Sequence, residues 1–215
     1  APTCTEDGYS GDEVCTNCGE TISVGKVLPA YCPSSAFTDL DSTQWYHDYA
    51  CYVLRNGLMK GTGATTFAPY APLTRGQMVT ILYRAAGEPE VTGASPFSDV
   101  VQGSYYEKAV IWAAEQNITE GVSATAFAPH ADTTREQMVT FLYRFARLQG
   151  ADVTAAGSLE HYSDAEQVSP WAVDAMIWAV EQGIVHGTAA DILNPRGVAR
   201  RIQAAKVMAV WDQKF

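Results

Sequence analysis

The apolar residues of the chain recur with helical spacing in segments that are near copies of one another. Met78, Ile81 and Leu82 are spaced at i, i+3 and i+4, which is typical of one face of an amphipathic helix. Residues 64–86 and 124–146 align at an offset of 60 with 16 of 23 positions identical, so the same helix is predicted twice. A third, more divergent copy follows. The apolar positions are Met78, Ile81, Leu82 and Ala85, then Met138, Phe141, Leu142 and Phe145, then Ala204, Val207, Met208 and Trp211.

This helix begins with a pattern that satisfies its first backbone N–H groups. Thr74 is followed three residues later by Gln77, and a hydroxyl and an amide at this spacing form a capping box. Thr134 and Gln137 repeat the pattern. Arg200 takes the threonine position in the third copy, and loss of such a cap weakens a helix by about 1 kcal/mol.

A shorter first helix precedes this second helix in each copy. It should end at a residue that tolerates left-handed backbone, which Gly and Asn do best, and a hydrophobic residue should follow. Trp112 and Trp178 lie on the apolar stripe of this helix and are predicted core residues. The aligned ends are Gly57, Asn117 and Gly183, followed by Leu58, Ile118 and Ile184, and each copy opens on an aromatic-x-Asp motif at 37–39, 97–99 or 162–164.

Three related helix pairs predict a mainly α-helical array whose units bury their apolar faces against one another. Residues 87–96 and 148–161 are rich in small and turn-forming residues and are interpreted as connections. The simplest arrangement is packing about a pseudo-threefold axis. An open solenoid is the alternative.

Charge and hydropathy exclude two classes of partner. Fourteen Lys and Arg against 24 Asp and Glu give a formal charge of −10, which argues against nucleic acid, because phosphate-backbone binding needs a basic footprint. No segment approaches the roughly 18 apolar residues that would span a membrane. The chain opens at Ala1 without a basic and apolar leader, from which we expect a mature form or a piece of a longer protein.

The three motifs in register resemble the S-layer homology (SLH) domain. They are the aromatic-x-Asp opening, the Trp-Ala-x-Glu-x-x-Ile-x-x-Gly end of the first helix, and the Thr-Arg-x-Gln start of the second. The resemblance covers most of the chain and implies three tandem repeats after a short Cys-rich segment of the kind seen in Firmicutes surface proteins. The predicted bounds are 1–32 for that segment and 33–90, 91–150 and 158–215 for the repeats.

The resemblance implies a three-pronged spindle around a central helical bundle, a pseudo-trimer within one monomeric chain. The implied function is non-covalent anchoring of an exported protein to a Gram-positive cell wall, through a secondary cell-wall polysaccharide, anionic or pyruvylated, held in grooves between repeats. The expected location is extracellular. The alternative is a protein-interaction or S-layer lattice-building module that binds no glycan.

Glycan-binding residues follow from the same resemblance. The arginine of Thr-Arg-x-Gln is the first choice, because a guanidinium in the first helical turn lies beside free N–H groups and the positive end of the helix dipole, which suits a carboxylate. Replacement of Arg75 and Arg135 is expected to abolish wall binding without unfolding the domain. The third groove is the one most in doubt, since its motif lacks Thr and contains Ile202. The set is Arg75, Arg135 and Arg201, with Gln77, Gln137 and Gln203, and with Gly61, Gly121 and Gly187.

Two further groups of aligned residues are candidates for glycan binding, but each could have a structural role instead. Aromatic residues near the start of the first helix either stack on sugar faces or close the core. The motif aspartates either hydrogen-bond a sugar, orient an arginine, or serve a helix cap or turn. The aromatic group is Trp45, Tyr105 and Trp171, and the acidic group is Asp39, Asp99 and Asp164.

All five cysteines lie in the first quarter of the chain, which predicts a stapled or metal-bound head. One hypothesis is a four-thiolate zinc site formed by Cys15 and Cys18 with Cys4 and Cys32. The other is disulfides, which are usual in exported proteins, with Cys32 paired to Cys51, Cys4 paired to Cys15 or Cys18, and one thiol left over. No other cofactor is expected.

Catalysis is not predicted within this chain. Hydrolysis needs facing carboxylates or a nucleophile with a base, and although Glu115 and Glu181 recur, the first copy has no acid at their position, where Leu54 is followed by Arg55. The four histidines, His47 among them, share no metal-ligand spacing, and no catalytic motif occurs. An enzyme domain elsewhere in the parent protein is compatible with this interpretation.

Overall fold

The computed structural model describes Cys4 and residues 6–215, and this part of the chain is mainly helical, as predicted. Within it, six α-helices form three pairs, one pair in each repeat. Short 3-10 turns precede α1 and α5. The helices are α1 (His47–Arg55), α2 (Arg75–Ala85), α3 (Glu107–Glu115), α4 (Arg135–Leu148), α5 (Val173–Glu181) and α6 (Arg201–Lys214), and the 3-10 turns are Pro33–Ala36, Ala165–Gln167 and Pro170–Ala172.

The first helix of each repeat ends where the sequence predicts, at a left-handed residue. Gly57, Asn117 and Gly183 have φ angles of 70°, 56° and 65°. After α3, the amides of Asn117 and Ile118 donate to carbonyl oxygens of the helix at 3.1 and 2.8 Å, the two bonds of a Schellman cap. The hydrophobic residue that follows each cap is buried; these residues are Leu58, Ile118 and Ile184.

The predicted capping boxes are present at the starts of α2 and α4. In α2, the Thr74 hydroxyl accepts from Gln77 N at 3.3 Å, and Gln77 Oε1 accepts from Thr74 N at 3.2 Å. The same two bonds recur in α4. Only half of the box is present in α6, where Gln203 Oε1 accepts from Arg200 N at 2.8 Å, because a guanidinium has no acceptor to offer in return.

Three backbone hydrogen bonds join the segments before α2, α4 and α6 into a closed triangle. Leu73 N donates to Ala199 O, Ala199 N to Thr133 O, and Thr133 N to Leu73 O, each at 2.8 Å. All three residues are fully buried. Because the third repeat bonds back to the first, the repeats form a ring with approximate threefold symmetry, and the solenoid alternative does not apply.

Helix packing follows the same cyclic order. Each first helix packs against the second helix of the preceding repeat: α3 on α2, α5 on α4, and α1 on α6. The last contact includes a hydrogen bond of 2.7 Å from the Tyr52 hydroxyl on α1 to Asp212 Oδ2 on α6. Trp112 and Trp178 are buried in the core, as predicted. The three-pronged outline stays a prediction.

The Cys-rich head consists of two small antiparallel strand pairs. β1 (Gly8–Tyr9) pairs with β4 (Val27–Leu28), and β2 (Glu13–Val14) pairs with β3 (Thr21–Ser23). None of the described residues at positions 4–32 is buried, so the head has little packing of its own. In the described part of the chain, no helix combines the length and the apolar character needed to cross a membrane.

Candidate functional site

Three open grooves lie between the repeats, one beside each second helix. Their volumes are about 350, 480 and 440 Å³, within the usual range of small-ligand pockets. Each groove takes a glycine loop and a second helix from one repeat, an arginine from another, and an aromatic residue from the third. Groove 1 contains Gly61, Gln77, Arg201 and Tyr105; groove 2 contains Gly121, Gln137, Arg75 and Trp171; groove 3 contains Gly187, Gln203, Arg135 and Trp45.

The arginine of each groove is buried and bound to the neighbouring repeat. Arg75, Arg135 and Arg201 are 5%, 5% and 4% exposed. Each Nε donates to a backbone carbonyl oxygen, at 2.8, 3.1 and 3.0 Å. Burial lowers the pKa of all three guanidinium groups, but an arginine stays charged in proteins. The acceptors are Phe127, Leu193 and Phe67. These arginines therefore also hold the ring together, so their replacement should affect folding as well as binding.

The backbone N–H groups beside these arginines are not free, which corrects the argument for an anion site at the helix N-terminus. Arg75 N donates to Ala131 O at 3.0 Å, and Gly76 N donates to Pro129 O at 2.9 Å. The first two amides of α4 and α6 likewise donate to the loop of the next repeat in the ring. Ring closure uses these donors, so a ligand in a groove meets the guanidinium and side chains instead.

The three arginines differ in how many of their N–H donors are used in hydrogen bonds within the protein. Arg135 and Arg201 each donate a second bond, from Nη2 to a loop carbonyl oxygen, at 2.8 and 2.9 Å. Arg75 makes no matching bond to Glu120 O, the aligned position, within the described residues. Its guanidinium lies 4.8 Å from the centre of the Phe127 ring. The terminal nitrogens of Arg75 therefore have more donors left for a ligand in groove 2.

The glycine of each groove packs against the aromatic residue of the aromatic-x-Asp motif. A Cβ at Gly121 would lie 2.5 Å from the Phe97 ring, closer than any side chain allows. Gly61 has the same relation to Phe37, and Gly187 packs on Tyr162. One wall of each groove is consequently bare backbone, which a ligand can approach closely.

Three aromatic side chains are exposed at the groove edges, which excludes the core alternative for them. Trp45, Tyr105 and Trp171 are 57%, 59% and 53% exposed. In the first two repeats the next residue, Tyr46 or Tyr106, fills the core at 2% exposure. Each exposed ring presents an apolar face to whatever occupies its groove.

The three predicted aspartates do not line the grooves; they hold the loop before the second helix. Asp99 Oδ1 accepts from Phe127 N at 2.8 Å, and Oδ2 accepts from Ala128 N at 2.7 Å. Ala128 has a φ of 58°, a conformation that surrounding bonds must maintain. Asp39 and Asp164 make equivalent pairs of bonds. Both carboxylate oxygens are thus used internally, and of the predicted alternatives the structure supports the turn role.

Each groove contains a second cation that the sequence motifs do not predict. Arg84 lies in groove 1, Arg144 in groove 2 and Lys206 in groove 3. Arg84 and Arg144 occupy aligned positions seven residues after the groove glutamine, and hence on the same helix face, so the repeat itself contained this signal. Lys206 lies one turn earlier, where the other copies have threonine.

The glycine loops give the grooves different charges. Lys60 lines groove 1, Glu120 lines groove 2 and His186 lines groove 3, at aligned positions. Glu120 Oε1 lies 3.8 Å from Arg144 Nη2 and so offsets part of the positive charge of groove 2. The divergent third motif is divided between two grooves, since Arg201 belongs to groove 1 and the rest of α6 to groove 3. Its divergence therefore does not single out one groove.

The cysteines adopt neither predicted arrangement. All five are free thiols. Cys32 and Cys51 are adjacent, with their Sγ atoms 3.5 Å apart, but are not bonded. Cys4 lies with them and away from Cys15 and Cys18, which flank the turn between β2 and β3. The predicted four-thiolate set is therefore not assembled.

A family model described as the S-layer homology domain matches the chain at residues 36–79, 96–139 and 161–205. Together these matches cover more than half of the chain. Each match contains one aromatic-x-Asp motif, one first helix and the start of one second helix. The three matched segments therefore coincide with the three repeats of the ring.

Curated relatives include surface-layer proteins and an enzyme. The chain is 33% identical over 156 residues (71% of the chain) to the Surface-layer 125 kDa protein of Lysinibacillus sphaericus. It is 25% identical over 192 residues (89%) to the S-layer protein of Bacillus thuringiensis subsp. finitimus. It is 29% identical over 173 residues (80%) to an Endoglucanase of Bacillus sp. (strain KSM-635). The chain spans only 13%, 23% and 18% of the lengths of these relatives, respectively.

Motifs, fold and comparisons agree on one assignment. The repeats carry the aligned motifs, their helices close into a ring with three similar grooves, and the family model matches each repeat. The chain therefore belongs to the S-layer homology domain family and is an extracellular module that anchors proteins at the cell surface.

Proposed function

We propose that this module anchors its parent protein by holding an anionic secondary cell-wall polysaccharide in the grooves between repeats. The observation that carries the proposal is the buried guanidinium at each groove. Among the described residues, none of Arg75, Arg135 and Arg201 forms a salt bridge. A buried cation is costly unless an anion or several acceptors balance it. The motif aspartates Asp99, Asp164 and Asp39 attract the three guanidinium groups through space, but both oxygens of each are already bound to loop amides. A carboxylate on the ligand would therefore complete the site.

The other groove residues suit a sugar. The amide group of each groove glutamine keeps its N–H donors, since its Oε1 is the atom used in capping. An exposed aromatic ring lies at one edge, and a second cation lies on the helix that forms one wall. This combination recognises a carboxylate, hydroxyl groups and an apolar ring face together, which matches an acidic glycan better than a peptide or a nucleotide.

Net charge decides how the glycan is attracted. At a formal charge of −10, the chain repels anions at long range. Binding of an anionic polymer must therefore come from short-range contacts inside the grooves. Three grooves on one chain would also let a repeating polymer engage more than once, which raises avidity without any new contact.

Cosedimentation with purified bacterial sacculi tests the proposal. The wild-type chain should sediment with intact sacculi and should stay in solution once the non-peptidoglycan polymer has been removed. The triple variant Trp45→Ala, Tyr105→Ala and Trp171→Ala should lose binding, because it removes the apolar ring faces at the groove edges. It should still fold, because these rings are exposed. Phe215→Ala, which removes an exposed ring outside the grooves, is the matched control and should bind normally.

Two results would count against the proposal. Sedimentation that survives removal of the polymer would place the ligand in peptidoglycan. Equal sedimentation of the triple variant and wild type would show that the grooves do not bind the wall, and would favour a protein-interaction or lattice-building role.

A further inference from the structure

Metal-ligating side chains gather where the head meets the first repeat, outside the three grooves. Their ligand atoms all lie within 4.8 Å of one another. Two of the residues lie one turn apart on α1, and the other two come from the two ends of the head. We call this group the thiol–imidazole cluster; it consists of Cys4, Cys32, His47 and Cys51.

The distances within the cluster fit a tetrahedral metal site. Zn–S bonds of about 2.3 Å and Zn–N bonds of about 2.0–2.1 Å place two sulfurs about 3.8 Å apart, and a sulfur and a nitrogen about 3.6 Å apart. Cys32 Sγ lies 3.5 Å from Cys51 Sγ and 3.3 Å from His47 Nε2. Cys51 Sγ lies 3.5 Å from the same nitrogen. A disulfide would need about 2.05 Å between sulfurs.

Neighbouring groups support the ligands as they do in known metal sites. His47 points Nε2 at the sulfurs, while Nδ1 lies 3.3 Å from Asp48 Oδ1, and a carboxylate in this position orients a metal-bound imidazole. The buried Ser34 hydroxyl lies 3.1 Å from Cys32 Sγ. Arg55 Nη2 lies 3.8 Å from Cys4 Sγ, so its charge can offset that of three thiolates around a divalent ion.

The head needs a cross-link, because its own packing is too small to stabilise it. None of its described residues at positions 4–32 is buried, and its strands are two or three residues long. Segments this small rarely fold without a disulfide or a structural metal. A metal held by the cluster would fix both ends of the head to α1.

We propose that the thiol–imidazole cluster binds one Zn²⁺ ion as a closed structural Cys3His site that fastens the head to the first repeat. Three sulfurs and one imidazole nitrogen are a donor set that Zn²⁺ prefers, and four protein ligands leave no open position for catalysis. His47 and Cys51 are separated by three residues on a helix, a spacing common among zinc ligands. The site is independent of groove binding.

The test measures zinc directly on the full chain, purified under reducing conditions. Wild type should contain one zinc per chain after gel filtration. The double variant Cys15→Ser and Cys18→Ser should keep it, because these thiols lie outside the cluster. Cys51→Ser should weaken zinc binding by more than about 100-fold, beyond the loss expected when only a supporting residue is removed. Helical content by circular dichroism checks that each variant folds.

A second variant separates a ligand from a merely structural residue. His47→Cys should retain the metal and convert the set from three thiolates to four. With Co²⁺ in place of zinc, thiolate charge-transfer absorption should then rise in proportion to thiolate number. In the zinc-loaded wild type, Cys15 and Cys18 should react rapidly with a thiol reagent, and the other three should react only after a chelator is added.

Three results would overturn the proposal. A native chain without metal would show that the cluster is not a zinc site, and three reactive thiols after denaturation would then indicate one disulfide in its place. Loss of zinc from the Cys15→Ser and Cys18→Ser variant would indicate a different ligand set. An unchanged Co²⁺ spectrum in His47→Cys would show that the His47 imidazole is not a metal ligand.

Discussion

Arg201, in the last repeat, donates a hydrogen bond of 3.0 Å from Nε to the carbonyl oxygen of Phe67, in the first repeat. The guanidinium also lies 5.0 Å from the centre of the Phe67 ring and faces groove 1. One side chain thus closes the ring and supplies the cation of a candidate binding site. Folding and binding are coupled at this position, and Arg75 and Arg135 repeat the relationship at the other two junctions.

Arg201→Ala should lower the free energy of unfolding by about 3 kcal/mol. The substitution removes bonds to Phe67 O and Lys60 O, and hydrogen bonds from charged groups contribute about 1.5–3 kcal/mol. Urea unfolding followed by circular dichroism measures the change. Arg196→Ala, which removes the same charge from an exposed position, should change stability by less than about 0.5 kcal/mol. Equal effects of the two substitutions would contradict the closing role of Arg201.

Arg200→Thr should raise the free energy of unfolding by about 1 kcal/mol relative to Arg200→Ala. Threonine would complete the capping box that α6 has only in part, since Gln203 already accepts from the backbone N–H of residue 200. Both variants lose the Arg200 bond to Tyr70 O, so that contact cancels in the comparison. Indistinguishable thermal unfolding of the two variants would show that the cap is satisfied in another way.

Asp99→Asn should destabilise the chain at neutral pH by about 2 kcal/mol, because one buried loop amide loses its acceptor. Burial raises the pKa of Asp99, but hydrogen bonds from Phe127 and Ala128, aided by the charge of Arg75, outweigh it and hold the pKa below its usual value. A depressed pKa stabilises the fold above the unfolded value of about 3.9 and loses that contribution as pH falls through the folded value.

The stability difference between wild type and Asp99→Asn should therefore shrink as pH is lowered below about 4. Urea midpoints measured from pH 7 downward give the curve. Glu90→Gln, at an exposed position, serves as control and should follow wild type throughout. A difference that stays constant into acid would mean that the Asp99 carboxylate is not the stabilising form.

Glu120→Lys should increase affinity for an anionic wall polysaccharide by about twofold to fivefold, the effect expected of an exposed charge worth up to about 1 kcal/mol. The substitution removes the acidic group beside Arg144 and gives groove 2 the residue that groove 1 has at Lys60. The gain should diminish as salt is raised. Glu115→Lys makes the same charge change on the exposed end of α3. If Glu115→Lys raises the affinity as much as Glu120→Lys does, the gain comes from the net charge of the chain and not from groove 2.

Features set by local sequence could be predicted well. The positive φ angles at Gly57, Asn117 and Gly183 and the capping boxes depend on residues within one turn, so they follow from a short pattern. The positions of Trp112 and Trp178 follow from helical spacing, which the structure confirms. Most of the groove residues follow from the family resemblance of the sequence motifs.

Features set by contacts between repeats were missed. The first amides of α2 look free in the sequence, yet Ala131 and Pro129 of the next repeat accept from them. Nothing local reveals that partner. The aspartates were open to several roles for the same reason, since their amide donors lie 28 to 30 residues away. His47 does not stand out as a ligand among the histidines, whose spacing fits no metal site; the residue at ligand spacing from it is a cysteine, Cys51, four positions on.

The central claim is that a carboxylate on the wall glycan is held at the groove arginines. It is tested most directly by titration calorimetry of the wild-type chain with a purified anionic wall-polysaccharide fragment and with the same fragment after its carboxyl groups are reduced to alcohols. The account predicts that reduction weakens binding by at least about tenfold, the loss of one charge-assisted contact. Equal affinity for the acidic and the reduced fragment would contradict it.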